Sequence, residues 1–237
     1  MSERDAGLRL WLVRHGRTAG NDEGRIQGRS DFPLNEQGLQ EASLLAERMA
    51  GISVAALYSS PLLRARQTAS VIGQRVGLPV NVLDELSEID MGSWERRTFR
   101  ATDGADDGLG LGGRWVFGPD RPFLGGRETL EELVDRGRLA VETIGKQQAT
   151  GDVCVAAHAG IILGVISACL ALSDGTFLPS FMIGNASISL LEHRLGRWLL
   201  AFSNDQRHLG ADWRPADDLL MTLFGRPDGL EPMRTQR

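Results

Sequence analysis

Three short apolar segments of this 237-residue chain each end in residues able to grip an anion. LRLWLV (8–13) runs into Arg14-His15-Gly16, VAALYSS (54–60) into Pro61-Leu62-Leu63-Arg64, and DVCVAA (152–157) into His158-Ala159-Gly160. If these segments are neighbouring parallel strands, their carboxyl ends bring two arginines and two of the chain's four histidines to one sheet edge. The helices that follow would aim their unpaired N–H groups at the same place. Forked guanidinium groups, imidazoles and helix N-termini together make an anion pocket, and phosphate is its natural occupant.

The elements that must position these residues can be read from the pattern. The three segments are short and apolar without alternation, as strands buried on both faces of a parallel sheet are. A fourth run, LPVNVLDEL (78–86), precedes Ser87-Glu88. Asn35 is placed to cap a helix over 36–50 that turns Leu39, Ala42, Leu45, Ala46 and Met49 inward and stops at Gly51. Ser60-Pro61 reads as a cap followed by proline at the first helical position. That helix carries Leu62, Ala65, Ala69, Ile72 and Val76 inward and ends at Gly77. A longer helix is expected over 128–148, and a buried one over the very apolar 159–172, which is too short to span a bilayer. ASISLLEHRL (186–195) and RWLLAFSND (197–205) flank Gly196 and read as an antiparallel hairpin at the sheet edge. The predicted fold is a three-layer α/β/α sandwich around a mostly parallel sheet with right-handed crossovers.

Composition narrows the function. The chain is 42% hydrophobic and 24% charged, as expected of a globular protein rather than a disordered one. A formal charge of −5 provides no global positive field for nucleic acid. Cys154 and Cys169 lie in apolar stretches and form no CxxC, so no disulfide scaffold or zinc cluster is expected. The first residues hold no apolar signal core, which makes the cytoplasm the expected compartment. Residues 104–126 contain eight glycines and no periodicity. The GxGxxG spacing at 108–113 has neither a strand before it nor a helix with an acidic partner after it, so it is no dinucleotide site. A lid or insertion over 96–127 within a single domain spanning 1–224, then a loose tail over 225–237, is the expected organisation.

LVRHGRTAGNDEGRIQG (12–28) resembles the signature of the histidine phosphatase, or phosphoglycerate mutase-like, superfamily. SSPLLRARQTA (59–69), LSEIDMGSWE (86–95) and AHAGII (157–162) are similar to its further motifs, in the family's order. The resemblance covers roughly 8–205 and is poor in the glycine-rich region. It implies that His15 is a nucleophile that becomes phosphohistidine, and that Arg14, Arg64 and His158 hold the phosphoryl oxygens. Asn21 and the backbone of Ala159 add donors, and Gln27 and Gly28 line the pocket mouth. Glu88, four residues before Gly92, stands where the family keeps its acid, with Glu85 and Asp90 as rivals. Like charge from Arg14 and Arg64 would keep His15 neutral. No metal or cofactor is implied, because the arginines neutralise the phosphate.

Departures from the family also carry information. Arg17 stands where glutamate is common, Gly20 where an aromatic is, and Arg96-Arg97 where Gly-Leu is, which predicts a more basic entrance. The expected function is a metal-independent phosphatase for a small phosphorylated metabolite, with no nucleic-acid or membrane partner and a homodimer left open. WERRTFR (94–100) looks more like the phosphatase branch than the mutase branch. A phosphoglycerate mutase-type isomerase is the nearest alternative, and a non-catalytic phospho-ligand module the more remote one. A dinuclear metal hydrolase lacks a clustered carboxylate set.

Overall fold

A computed structural model describes residues 7–98, 126–172 and 182–210. Most of the 96–127 insertion, the GxGxxG segment and the 225–237 tail therefore lie outside the described residues. The strands are β1 (Leu8–Arg14), β2 (Val54–Ser59), β3 (Val80–Val82), β4 (Gly151–Ala157), β5 (Ile188–Arg194) and β6 (Arg197–Asp205). The helices are α1 (Ala19–Asp22), α2 (Glu36–Ala50), α3 (Leu63–Val76), α4 (Leu130–Gln147) and α5 (Ala159–Leu170). They build one sheet of order β3-β2-β4-β1-β5-β6, parallel from β3 to β1 and antiparallel through β5 and β6. The hairpin thus occupies the edge, as its sequence predicts.

Alternation along the central strands divides the core into two faces. Leu10 and Leu12 of β1 and Val153 and Val155 of β4 pack with Leu130, Leu133, Ile161 and Ile162 of α4 and α5. Val13, Cys154 and Ala156 face the other way, onto Leu45, Ala46 and Met49 of α2 and Ala69 and Ile72 of α3. These are the two helical layers of a three-layer sandwich. On one of them α4 and α5 approach very closely: a Cβ on Gly137 would lie 2.7 Å from the backbone of Gly164 and Val165. Only glycine permits that separation.

Two details differ from the sequence reading. Leu39 is 46% exposed, because Gly38, Glu41, Ala42, Leu45, Ala46 and Met49 form the buried stripe of α2. One residue beyond Gly38 is about 100° further round the helix, which turns Leu39 outward. Helix α3 begins at Leu63 rather than at Pro61. Its Leu63 N–H donates to Asp31 Oδ1 at 2.9 Å, a cap from 32 residues away, and the Ser60 hydroxyl meets His158.

Candidate active site

Strand register brings the predicted residues together. Arg14 pairs with Ala157 and Ser59 with Ala156, so His15, His158 and Ser60 emerge side by side at the carboxyl edge. The N–H of His15 donates to Ala157 O at 3.0 Å, and that of Ser60 to Ala156 O at 3.0 Å. The His15 and His158 rings lie 5.2 Å apart between centroids, and both are buried.

The hydrogen bonds of His15 fix its proton. Nδ1 lies 2.7 Å from Gly16 O, which can only accept, so Nδ1 carries the hydrogen. Arg64 Nε, which can only donate, lies 3.2 Å from Nε2. Nε2 therefore keeps its lone pair, and the ring is neutral. Burial, more than the Arg64 and Arg14 charges, holds His15 well below its ordinary pKa. The sequence reading names only the charges.

Arg64 is 1% exposed, and two of its four other N–H donors go to Ser30 O at 2.8 Å and Gly28 O at 2.7 Å. Burial lowers its pKa to about 10, an effect that the nearby Glu88 charge opposes. Arg14, also buried, donates to Ile183 O. His158 Nε2 lies 2.7 Å from Ser60 Oγ, while its buried Nδ1 has no protein partner among the described residues. Burial, then the charges of Arg64, Arg14 and Arg136, push the pKa of His158 well down.

Asn21 closes the capping box of α1. Its Oδ1 accepts from the Thr18 N–H at 3.1 Å and from Asn185 Nδ2 at 3.3 Å, so Nδ2 is the amide end that remains for a ligand. Gln27 accepts from the Thr18 hydroxyl, and Gly28 contributes its carbonyl to Arg64. Glu88 is seated on the N-terminus of α5, with Oε2 accepting from the Gly160 N–H at 3.2 Å and Oε1 from the Ile161 and Ile89 N–H groups at 3.2 and 2.8 Å. The N–H of Ala159 is left without a protein acceptor among the described residues.

The rivals of Glu88 serve elsewhere: Asp90 Oδ1 accepts from the Gly92 N–H, and Glu85 gives its carbonyl to Arg136. Trp94 is buried in the core. The predicted basic entrance needs correction at Arg17. Arg17 pairs with Asp22 at 2.9 Å and approaches Glu41 at 3.8 Å, so its charge is balanced within the protein. Arg96 and Arg97 lie over the rings of Phe32 and Trp94, with guanidinium carbons 5.6 and 5.3 Å from the centroids. No three His, Cys, Asp or Glu side chains gather to hold a metal among the described residues. No helix there is long and apolar enough to cross a membrane.

Four participants escape the sequence reading. Ser60 meets His158 while also accepting the Leu62 N–H at 3.2 Å, and Asn185 links the His15 carbonyl to Asn21. Gly160 is required because a Cβ there would lie 2.4 Å from Glu88 Oε1. Arg136 donates to the backbone that carries Glu88. No local spacing announces Asn185 or Arg136, since both act across the fold.

This geometry has known counterparts. Residues 10–206 match the family described as the histidine phosphatase superfamily, branch 1. The chain belongs to that superfamily. A probable phosphoglycerate mutase of Salmonella choleraesuis is 31% identical over 209 residues, 86% of this chain and 96% of the relative. Among solved structures, a mycobacterial glucosyl-3-phosphoglycerate phosphatase superposes with a TM-score of 0.75 at 31% identity, covering 84% of this chain and 99% of the other. Phosphoserine phosphatase of Entamoeba histolytica superposes with a TM-score of 0.73 at 28% identity, covering 86% and 100%. Membership accounts for the order of the four motifs along this chain.

Proposed function

We propose that this enzyme of the histidine phosphatase superfamily is a phosphatase that hydrolyses small phosphate monoesters through a phosphohistidine on His15. The observation that carries the reading is the neutral ring of His15 with its lone pair on Nε2. Nε2 attacks phosphorus, and the bond from phosphorus to the ester oxygen breaks. Glu88 gives its proton to the departing alkoxide, then takes one from the water that cleaves the phosphorus–nitrogen bond. Inorganic phosphate leaves and His15 is restored.

Arg14, Arg64 and His158 spread the charge of the transferring group, with the Asn21 amide and the Ala159 N–H as further donors. As substrate enters, the Arg64 Nε–H turns from Nε2 to a phosphoryl oxygen. His158 donates through Nδ1, the ring nitrogen that no described protein group uses. Guanidinium groups supply the neutralisation that a metal would otherwise give, so EDTA should leave the rate within about 2-fold. Gln27 and Gly28 shape the mouth around a small phosphorylated metabolite.

Hydrolysis is favoured over isomerisation by the solved relatives, two of which are described as phosphatases. Return of the phosphoryl group to a second hydroxyl is the other reading, and the relative described as a probable mutase is what supports it. The test follows free phosphate and isomer formation in parallel over a set of phosphorylated sugar acids, hydroxy amino acids and sugars. Phosphate release from at least one of them, with an acid-labile, base-stable label on His15, is expected. A phosphoenzyme that resists water and yields only isomer would make the protein a mutase.

A further inference from the structure

The loop that carries Glu88 has little regular structure of its own. Between β3 and α4 the described backbone forms only short 3₁₀ turns at Asp84–Leu86 and Gly92–Trp94. Neither a strand ladder nor a helix holds the Glu88 backbone in place, yet proton transfer to a leaving oxygen requires hydrogen-bond reach.

One guanidinium takes over that task. Arg136, in the middle of α4, donates through Nη1 to Glu85 O at 2.9 Å and to Ser87 O, and through Nη2 to Glu88 O at 3.4 Å. Its Nε and second Nη2 hydrogen pair with the two oxygens of Glu128, at 2.7 and 2.8 Å. All five N–H donors of the side chain are thereby used, three of them on carbonyls of the acid loop. Glu128 is itself 6% exposed and accepts the Asp90 N–H at 3.0 Å, so it grips the same loop from the other side of Glu88. Arg29 adds a bond to Glu88 O at 3.3 Å and lies 3.5 Å from Glu128.

We propose that Arg136, oriented by Glu128, is a positioning residue that sets the Glu88 carboxylate at the reacting phosphoryl group. The inference rests on Glu88 being the proton donor. Two helices then share the work: α4 holds the Glu88 backbone through Arg136, and α5 holds its carboxylate through the Gly160 and Ile161 N–H groups. The helices meet where Gly137, next to Arg136, touches Gly164, four residues past Gly160. The distance from clamp to seat is therefore set by a backbone-to-backbone contact. Stability alone is a poor reason for the cluster, since a mostly buried ion pair gains little over an apolar replacement of the same volume. Lysine cannot substitute, because a point charge cannot serve three carbonyls and a two-oxygen acceptor together.

The test uses the full chain with R136M, R136K, E88Q and the R136M/E88Q double variant, on glycerol phosphate and p-nitrophenyl phosphate. An alkoxide needs its proton and a nitrophenolate does not. R136M should lower kcat/KM for glycerol phosphate about 10²-fold and for p-nitrophenyl phosphate by no more than about 3-fold. R136K should fall between R136M and the parent. In the E88Q background R136M should cost nothing further, because both changes remove one function. Equal loss on both substrates, or additive losses in the double variant, would overturn the inference. If R136M does not fold, as read by its thermal melt, R136K and its E88Q double carry the same comparison. A leaving-group effect in E88Q that is absent from both Arg136 variants sinks only the positioning role. Its absence from E88Q itself sinks the acid assignment and the positioning role with it.

Discussion

The two halves of the site are held by different means. His15, Ser60 and His158 stand at strand ends, where the parallel ladder of β1, β4 and β2 sets their spacing through backbone hydrogen bonds. Glu88 stands on a loop fixed by side chains, chiefly Arg136, Glu128 and Arg29. A ladder has one register once its apolar faces are buried, so its geometry comes from the whole core. A side-chain clamp depends on single residues, each removable by one substitution. In the proposed mechanism, the group that would receive phosphorus is built into the fold, and the group that would move the proton is tied to it.

The sharpest way to break this comparison is at its centre. His15→Ala removes the lone pair that Arg64 Nε addresses, and turnover should fall to background with loss of the phosphohistidine label. The ladder around it should persist, visible as a melting temperature within a few degrees of the parent. Retained activity would remove His15 from the chemistry. Arg64→Met should instead harm both properties. It leaves the buried carbonyl of Gly28 without its donor, at about 1–3 kcal/mol, and the half-buried carbonyl of Ser30 without one of its own, so the urea midpoint should drop along with activity. An Arg64→Met protein as stable as the parent would show that those carbonyls find other partners.

The halves meet at Gly160, and a smaller change there sharpens the contrast. Gly160→Ala puts a methyl group 2.4 Å from Glu88 Oε1 and 3.3 Å from Ile89 Cγ2, while leaving α5 a better helix former. The carboxylate must leave its seat. The expected result is a loss of about 10-fold in kcat/KM for alkyl phosphates with aryl phosphates nearly unaffected. Uniform loss would mean that the substitution disturbs Ala159 and His158 instead.

The same division explains what is legible in the amino-acid sequence. Strand ends and helix faces follow local periodicity, so the sheet, the hairpin and the convergence of Arg14, His15, Arg64 and His158 can all be read from it. Glu88 is singled out only by its place in a family motif. Nothing local separates it from Glu85 and Asp90, because what selects it is the N-terminus of a helix more than 70 residues away. Arg17 shows the opposite error. Its type suggests a basic entrance, but Asp22 of α1 and Glu41 of α2 balance it. The start of α3 is misread in part for a similar reason: Ser60 does accept the Leu62 N–H, but the helix opens at Leu63, whose N–H is taken by Asp31 from far along the chain.

Acidity gives the mildest and most general probe of the strand-end half. Burial holds both His15 and His158 well below 6.5 in the folded protein, while in the unfolded chain each titrates near that value. Below 6.5 the unfolded state therefore binds protons that the folded state refuses. The stability that this provides is complete above 6.5 and is lost as the pH falls towards the folded values. Its slope approaches about 1.4 kcal/mol per pH unit for each histidine. Asp205, lowered to about 2 by its bonds to Arg207, loses its contribution at more acid pH, as the pH falls from about 3.8 towards about 2. Glu41, raised by burial, acts in the opposite sense. Comparing the parent with His158→Gln removes both carboxylate effects from the difference. The parent should lose stability more steeply than the variant between pH 6.5 and 5 in urea titrations. Parallel curves would mean that His158 takes up its proton in the folded state. The acid limb of kcat/KM should likewise lie below 6.5, since only neutral His15 can attack, and a limb above 6.5 would show that His15 is not held neutral.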